Sequence, residues 1–175
     1  MSLARNTLVQ TSFTLLSRVL GYARDRAISN VIGASAIGDA FATAQMFPNL
    51  FRRIFAEGAF TQAFVPVYAR TQKEQGEDVA AGVASQSLSV LLLATVALTI
   101  IAQIAMPWIM LVIHGGYADQ PEIFAYAILL TQITMPYLVG MSAAALFSGV
   151  LNTAGRFALS AAAPIFLNLC ILVAI

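Results

Sequence analysis

The sequence predicts an all-α polytopic membrane protein with five transmembrane helices, and three observations lead there. Its 175 residues are 59% hydrophobic and 10% charged, with a mean hydropathy of +0.83. Soluble domains carry about a quarter charged residues, so a water-facing shell cannot be built from this composition. The charges are also segregated, since no Asp, Glu, Lys or Arg occurs from Val79 to Ala118, from Ile123 to Gly155 or from Phe157 to Ile175. The first two of these tracts exceed the roughly 20 apolar residues that cross a bilayer as a helix. Turn-forming clusters then punctuate the chain at spacings that suit long helices and leave almost no strand.

Taken in order, helix 1 is predicted from Asn6 to Val31 and ends at a Gly33-Ala34-Ser35 turn. Helix 2 covers Asp39 to Ala69 and is followed by a hydrophilic loop from Arg70 to Asp78. Helix 3 covers Gly82 to Ile113, and the loop to Glu122 contains His114, Gly115, Gly116 and Pro121. Helix 4 runs from Ile123 to Leu151, where Asn152-Thr-Ala-Gly-Arg156 makes the turn into helix 5, Ala158 to Ile175. Together they form a single membrane domain. Helix 5 stops while still apolar, which predicts a chain that continues into further helices. Pro48, Pro66, Pro107 and Pro136 fall within helices, where membrane proteins tolerate them as kinks; Pro66 and Pro107 are read as kinks or helix ends. The small residues of helix 4, from Gly140 to Gly149, suit close helix packing.

Loop charges predict orientation. Arg5 precedes helix 1, Arg70 and Lys73 follow helix 2, and Arg156 follows helix 4, while the loops after helices 1 and 3 carry no Lys or Arg. The positive-inside rule then places a multi-pass chain in the cytoplasmic membrane with its N-terminus in the cytoplasm. Arg18 interrupts the only stretch that could serve as a signal peptide. A net charge of +1 offers no face for nucleic acid. One cysteine, Cys170, and one histidine, His114, leave no disulfide and no protein-built metal site, and no cofactor is expected. No nucleophile–base pair or phosphate loop is present, so no enzyme is predicted. Trp108 and Tyr117 fit an interfacial aromatic belt.

Ten of the 17 charged residues lie in the first 70 positions, and most of those fall inside helices 1 and 2. An arginine at the centre of a lipid-facing helix costs roughly 3 kcal/mol on insertion scales, so these groups must line water, pair with carboxylates or meet a ligand. If helices 1 and 2 form an antiparallel hairpin, Arg18 and the Arg52-Arg53 pair each lie about 17 residues, or about 26 Å, from the turn and so stand at one level. Ser17 and Arg24 share one helix face, Arg18 and Asp25 another, and Asn49, Arg53 and Glu57 form a stripe on helix 2. Between Ser17 and Glu57 there are five arginines (Arg26 included) against three carboxylates, Asp25, Asp39 and Glu57. Arginine's planar fork binds phosphate oxygens bidentately, which points to the phosphate part of an amphiphilic substrate. Two competing readings stay open: internal ion pairs (Arg53–Glu57 and Arg18–Asp25) that fix packing, and a helix 1 lying flat on the membrane surface.

Three stretches carry a family resemblance: Ser17-Arg-Val-Leu-Gly-Tyr-Ala-Arg-Asp25, Pro48-Asn-Leu-Phe-Arg-Arg-Ile-Phe-Ala-Glu-Gly-Ala-Phe60 with Gln62-Ala-Phe-Val-Pro66, and Leu151-Asn-Thr-Ala-Gly-Arg-Phe157. They resemble the MurJ (MviN) family, the bacterial lipid II flippases of the MOP exporter superfamily. The resemblance implies a fourteen-helix transporter of two lobes around a central cavity, of which these five helices make most of the N-lobe. It further implies alternating-access translocation of the undecaprenyl-pyrophosphate-linked peptidoglycan precursor across the bacterial inner membrane. Lipid II and membrane lipids are then the implied partners, with cell-wall synthesis proteins as candidates beside them. By that resemblance Arg18, Arg24 and Arg52 correspond to cavity arginines, and Asp39 and Glu57 to polar positions of gating and function. Ser17, Asp25, Asn49 and Arg53 are adjacent matches. The family's further cavity arginine and any cation site belong to the other lobe. Alternatives are another MOP exporter, for a polysaccharide-linked lipid or a drug, and a non-transporting scaffold for cell-wall assembly. An organic-cation drug would favour carboxylates over an arginine surplus.

Overall fold

The computed structural model describes residues 3–33, 35–53, 59–113, 115–117 and 119–175, and among them every regular element is helical. The α-helices are α1 (Leu3–Ile32), α2 (Ala36–Arg52), α3 (Ala59–Gln75), α4 (Glu77–Ile113), α5 (Pro121–Thr134), α6 (Tyr137–Thr153) and α7 (Phe157–Ala174), with one 3-10 turn at Gly115–Tyr117. By length and composition three helical stretches among the described residues can cross a membrane: α4, α5 with α6, and α7. The five-span prediction is thus met in part. The long α1 is too polar, because Asn6, Thr7, Gln10, Thr11, Ser12, Thr14 and Ser17 dilute its apolar residues and Arg18, Arg24, Asp25 and Arg26 add charge, and α2 is only 17 residues long.

The stretch predicted as one helix over Asp39–Ala69 is described as α2 and α3, with residues 54–58 outside the description. The predicted hydrophilic loop is largely helical. Arg70 to Gln75 continue α3, because these are good helix formers. Arg70 also bonds Glu74 one turn on (3.0 Å), and Lys73 complements the dipole in the last turn. Gly76, with φ +91°, makes the break that a residue with a side chain adopts only under strain, and Glu77 and Asp78 open α4. Ser35 caps α2, its hydroxyl accepting from the Gly38 N–H (3.2 Å), and Asp39 lies in the first turn.

Pro136 divides the predicted fourth helix. α5 ends at Thr134 and α6 starts at Tyr137, with the Leu138 and Val139 N–H groups bonding back to Met135 and Pro136 in a tightened turn. Pro66, Pro107 and Pro164 lie inside continuous helices instead of ending them. At its far end α6 closes in a Schellman motif: Arg156 N–H bonds Leu151 C=O (2.8 Å) and Gly155 N–H bonds Asn152 C=O (3.1 Å), with Gly155 at φ +72°. The Asn-Thr-Ala-Gly-Arg segment is therefore a helix stop built on a left-handed glycine. A Cβ added at Gly140 would meet nothing within 4 Å, so that residue does not mark the close helix contact its size suggested.

The chain divides into two compact units, Met1–Gly33 with Phe147–Ile175, and Ala34–Leu146. In the first, α1 packs along α7. In the second, α5 packs against α2 and α4, and α3 against α4. The core of that second unit is Ala102, Met106, Met110 and Met135, flanked by Ile109, Phe124 and Ile128. Phe60, Phe64 and Tyr68 stack down α3 with 5.6 Å between successive ring centroids. Buried Thr95, Thr99 and Thr131 satisfy their hydroxyls on carbonyls one turn back (2.7 Å each). Large apolar side chains such as Leu93, Ile104, Trp108, Val112 and Val173 point outward. Hydroxyls inside and hydrocarbon outside is the arrangement a lipid environment favours over water.

Two prolines leave carbonyls that α5 fills. A proline has no N–H, so the carbonyl four residues before it loses its helical partner. For Pro107 that carbonyl is Gln103, and Gln132 Nε2 of α5 donates to it at 2.9 Å. For Pro48 it is Ala44, and the Thr134 hydroxyl of α5 lies 3.0 Å from it and equally close to Thr131 C=O.

Candidate functional site

Two of the α1 residues singled out from the sequence, Ser17 and Arg24, lie on the seam with α7. Ser17, Gly21 and Arg24 fall one turn apart, on one face of the helix. Facing them is Asn168, which is 5% exposed within the apolar run Pro164–Ala174. Its side-chain oxygen accepts from Arg24 Nη1 (2.8 Å), and its Nδ2 donates to the Ser17 carbonyl (3.0 Å). Gly21 lies against the amide: a Cβ there would stand 3.6 Å from Asn168 Nδ2, an ordinary van der Waals contact.

Arg24 is held from the other side by Asp25. Its Nε and Nη2 both donate to Asp25 Oδ1, at 3.0 and 2.7 Å. A guanidinium has five N–H donors. These contacts use three, leaving one on each terminal nitrogen, and the Arg24 side chain keeps 27% of its surface open. What results is a cation fixed at two points with donors uncommitted, the arrangement that suits an anionic oxygen.

Arg18 and Arg26 stand exposed on α1. Asp25 pairs with its neighbour Arg24 and not with Arg18, which corrects the alternative that paired Arg18 with Asp25. The reason is local. An arginine beside an aspartate can fold its fork onto the adjacent carboxylate, whereas Arg18 would have to span almost two turns.

In the other unit, Asp39 lies exposed in the first turn of α2, its N–H bonded to Ser35 C=O (3.0 Å). Asn49 and Arg53 stand exposed one turn apart, the Arg53 N–H reaching the Asn49 carbonyl, as the predicted stripe requires. Glu57, His114 and the side chains of Arg52 and Tyr117 lie outside the described residues. Cys170 is exposed on α7.

Asn168 was not singled out from the sequence. A lone asparagine in a charge-free tract was the available signal, since burying an amide among apolar residues is costly unless both its ends are bonded. Its partners lie 144 and 151 positions away, and no local pattern names them.

Comparison with known proteins agrees with the motifs. A family model described as lipid II flippase MurJ matches residues 28–175. The lipid II flippase MurJ of Burkholderia cenocepacia is 40% identical over 174 residues, covering 99% of this chain and 34% of that protein. The probable lipid II flippase MurJ of Rhizobium tropici is 40% identical over 176 residues, covering 100% of this chain and 33% of that protein. That of Vibrio cholerae is 39% identical, covering 95% of this chain and 33% of its own length. The chain thus spans about a third of the length of these curated relatives. With a family model matched over most of its residues and relatives aligned along nearly all of them, it belongs to the lipid II flippase MurJ family.

Proposed function

We propose that this chain forms most of the N-lobe of a flippase that carries the undecaprenyl-pyrophosphate-linked peptidoglycan precursor, lipid II, between the leaflets of the bacterial inner membrane by alternating access. The observation that carries the reading is Arg24, clamped by Asp25 and Asn168 with one donor left on each terminal nitrogen. A pyrophosphate presents oxygens that such a guanidinium binds bidentately, and a site shielded from water strengthens the attraction. Arg18, Arg52 and Arg53 supply further positive charge, with Ser17 and Asn49 as polar neighbours. Asp39 and Glu57 serve in gating. A flippase moves its lipid without transforming it, so these groups bind and release and perform no covalent step.

Topologically, α1 and the α2–α3 region make two further crossings beside the three apolar spans, and the N-terminus is cytoplasmic. Arg5, Arg70, Lys73 and Arg156 then share the cytoplasmic side. The test is growth rescue by the full-length protein in cells depleted of their own flippase, comparing Arg18→Ala, Arg24→Ala and Arg52→Ala with Arg156→Ala at matched membrane levels. Loss of rescue by the first three, with lipid II accumulating in the inner leaflet, is expected. Normal growth with all of them would leave a scaffold as the better reading.

A further inference from the structure

We propose that Asn168 is a positioning residue: it holds the Arg24 guanidinium so that its two uncommitted N–H donors stay available to a phosphate oxygen of a prenyl-pyrophosphate substrate. The inference rests on the reading of Arg24 as a substrate ligand and adds a residue from α7 to it.

Asn168 repairs no break in α1. The Ser17 carbonyl has its helical partner in the Gly21 N–H, and the Asn168 amide takes the second lone pair (3.0 Å). Contrast Gln132, which fills a carbonyl left bare by Pro107. An apolar residue at 168 would pack on α1 without leaving any group unsatisfied there except the guanidinium. The polar side chain is therefore explained by what it does to Arg24, at 2.8 Å.

Chemistry narrows the role. Asp25 already sets one carboxylate against Arg24. A second carboxylate at 168 would hold the guanidinium more tightly and also cancel its attraction for an anion. An amide oxygen fixes the cation while adding no charge. The Ser17 carbonyl anchors the other end of that amide, so its position follows α1 itself. Arginine in water samples many rotamers, and ordering it beforehand lowers the cost of binding.

The experiment uses the full-length protein purified in detergent, with farnesyl pyrophosphate as the probe and farnesol as its uncharged control. Dissociation constants are measured for wild type, Arg24→Ala, Asn168→Leu, Asn168→Asp and the Arg24→Ala/Asn168→Leu double variant, together with thermal unfolding. Asn168→Leu is expected to weaken pyrophosphate binding about tenfold, the scale of one charge-assisted hydrogen bond, with farnesol unchanged. In the Arg24→Ala background the same substitution is expected to add nothing. Asn168→Asp gives up the bond to the Ser17 carbonyl but keeps the acceptor for Arg24, whose cation offsets the new charge, so it is expected to stay folded yet bind pyrophosphate more weakly. Should Asn168→Leu not fold, Asn168→Asp decides. If Arg24→Ala weakens binding while the folded Asn168 variants stay within about twofold of wild type, Asn168 only packs and the proposal is overturned. If Arg24→Ala itself changes nothing, the ligand reading of Arg24 fails, and this inference with it.

Discussion

Gln132 of α5 donates its side-chain N–H to the main-chain carbonyl of Gln103 in α4, 2.9 Å away, replacing the amide that Pro107 lacks. In hydrocarbon no water can take that role, and an unpaired carbonyl costs about as much as a lost hydrogen bond or more. The same helix serves α2, where Thr134 reaches the Ala44 carbonyl left free by Pro48. Two proline-interrupted helices are thus tied to one neighbour by polar side chains two positions apart.

Gln132→Leu is expected to destabilise the protein by about 1 kcal/mol, within the range found for buried and intramembrane hydrogen bonds. In a Pro107→Ala background residue 107 regains its N–H, so the cost should fall to near zero. Unfolding titrations of the four variants give the coupling directly. Equal costs in both backgrounds would show that Gln132 acts through packing.

Thr134→Val keeps the shape of the side chain and removes the donor. We expect a loss of about 0.5–1 kcal/mol, with Thr134→Ser close to wild type. Because the hydroxyl also lies 3.0 Å from Thr131 C=O, it has a second acceptor, and the effect should be smaller than at Gln132. Thermal unfolding in detergent checks the order.

Gly155→Ala forces a side chain into the left-handed region at φ +72° and should cost about 1–2 kcal/mol by fraying the end of α6. Gly155→Asn should cost less, because asparagine tolerates that conformation. Hydrogen exchange at the Arg156 amide, bonded to Leu151 C=O in the intact motif, reports the fraying locally.

Arg24→Lys keeps the charge but removes the planar fork that reaches Asp25 and Asn168 together. We expect it to fail in growth rescue almost as fully as Arg24→Ala, at normal membrane levels. Rescue by lysine would mean that a point charge suffices at this position.

The helical character, most of the breaks and the concentration of charge in the first two predicted helices were legible in the residues alone. Each depends on local rules: hydrocarbon length, a glycine at a stop, the price of an ion in lipid. The Gly155 stop and the faces shared by Ser17 with Arg24 and by Asn49 with Arg53 follow from helix periodicity, which neighbours in sequence enforce. Arg70 to Gln75 form helix where hydrophilicity predicts a loop, for a related reason. Hydrophilicity signals exposure to water, and an exposed segment of good helix formers can still be helix, as it is here until Gly76.

Partners distant in the chain were decided only by packing. That a carbonyl opened by Pro107 meets Gln132, or that Arg24 leans on Asn168 instead of on Asp25 alone, depends on which helices lie side by side. Helix geometry sets which face a residue occupies, because each turn is closed by bonds within four residues. It does not set which other helix that face meets. Many pairings bury similar apolar area, and the choice falls to the few polar groups that must find each other out of reach of water.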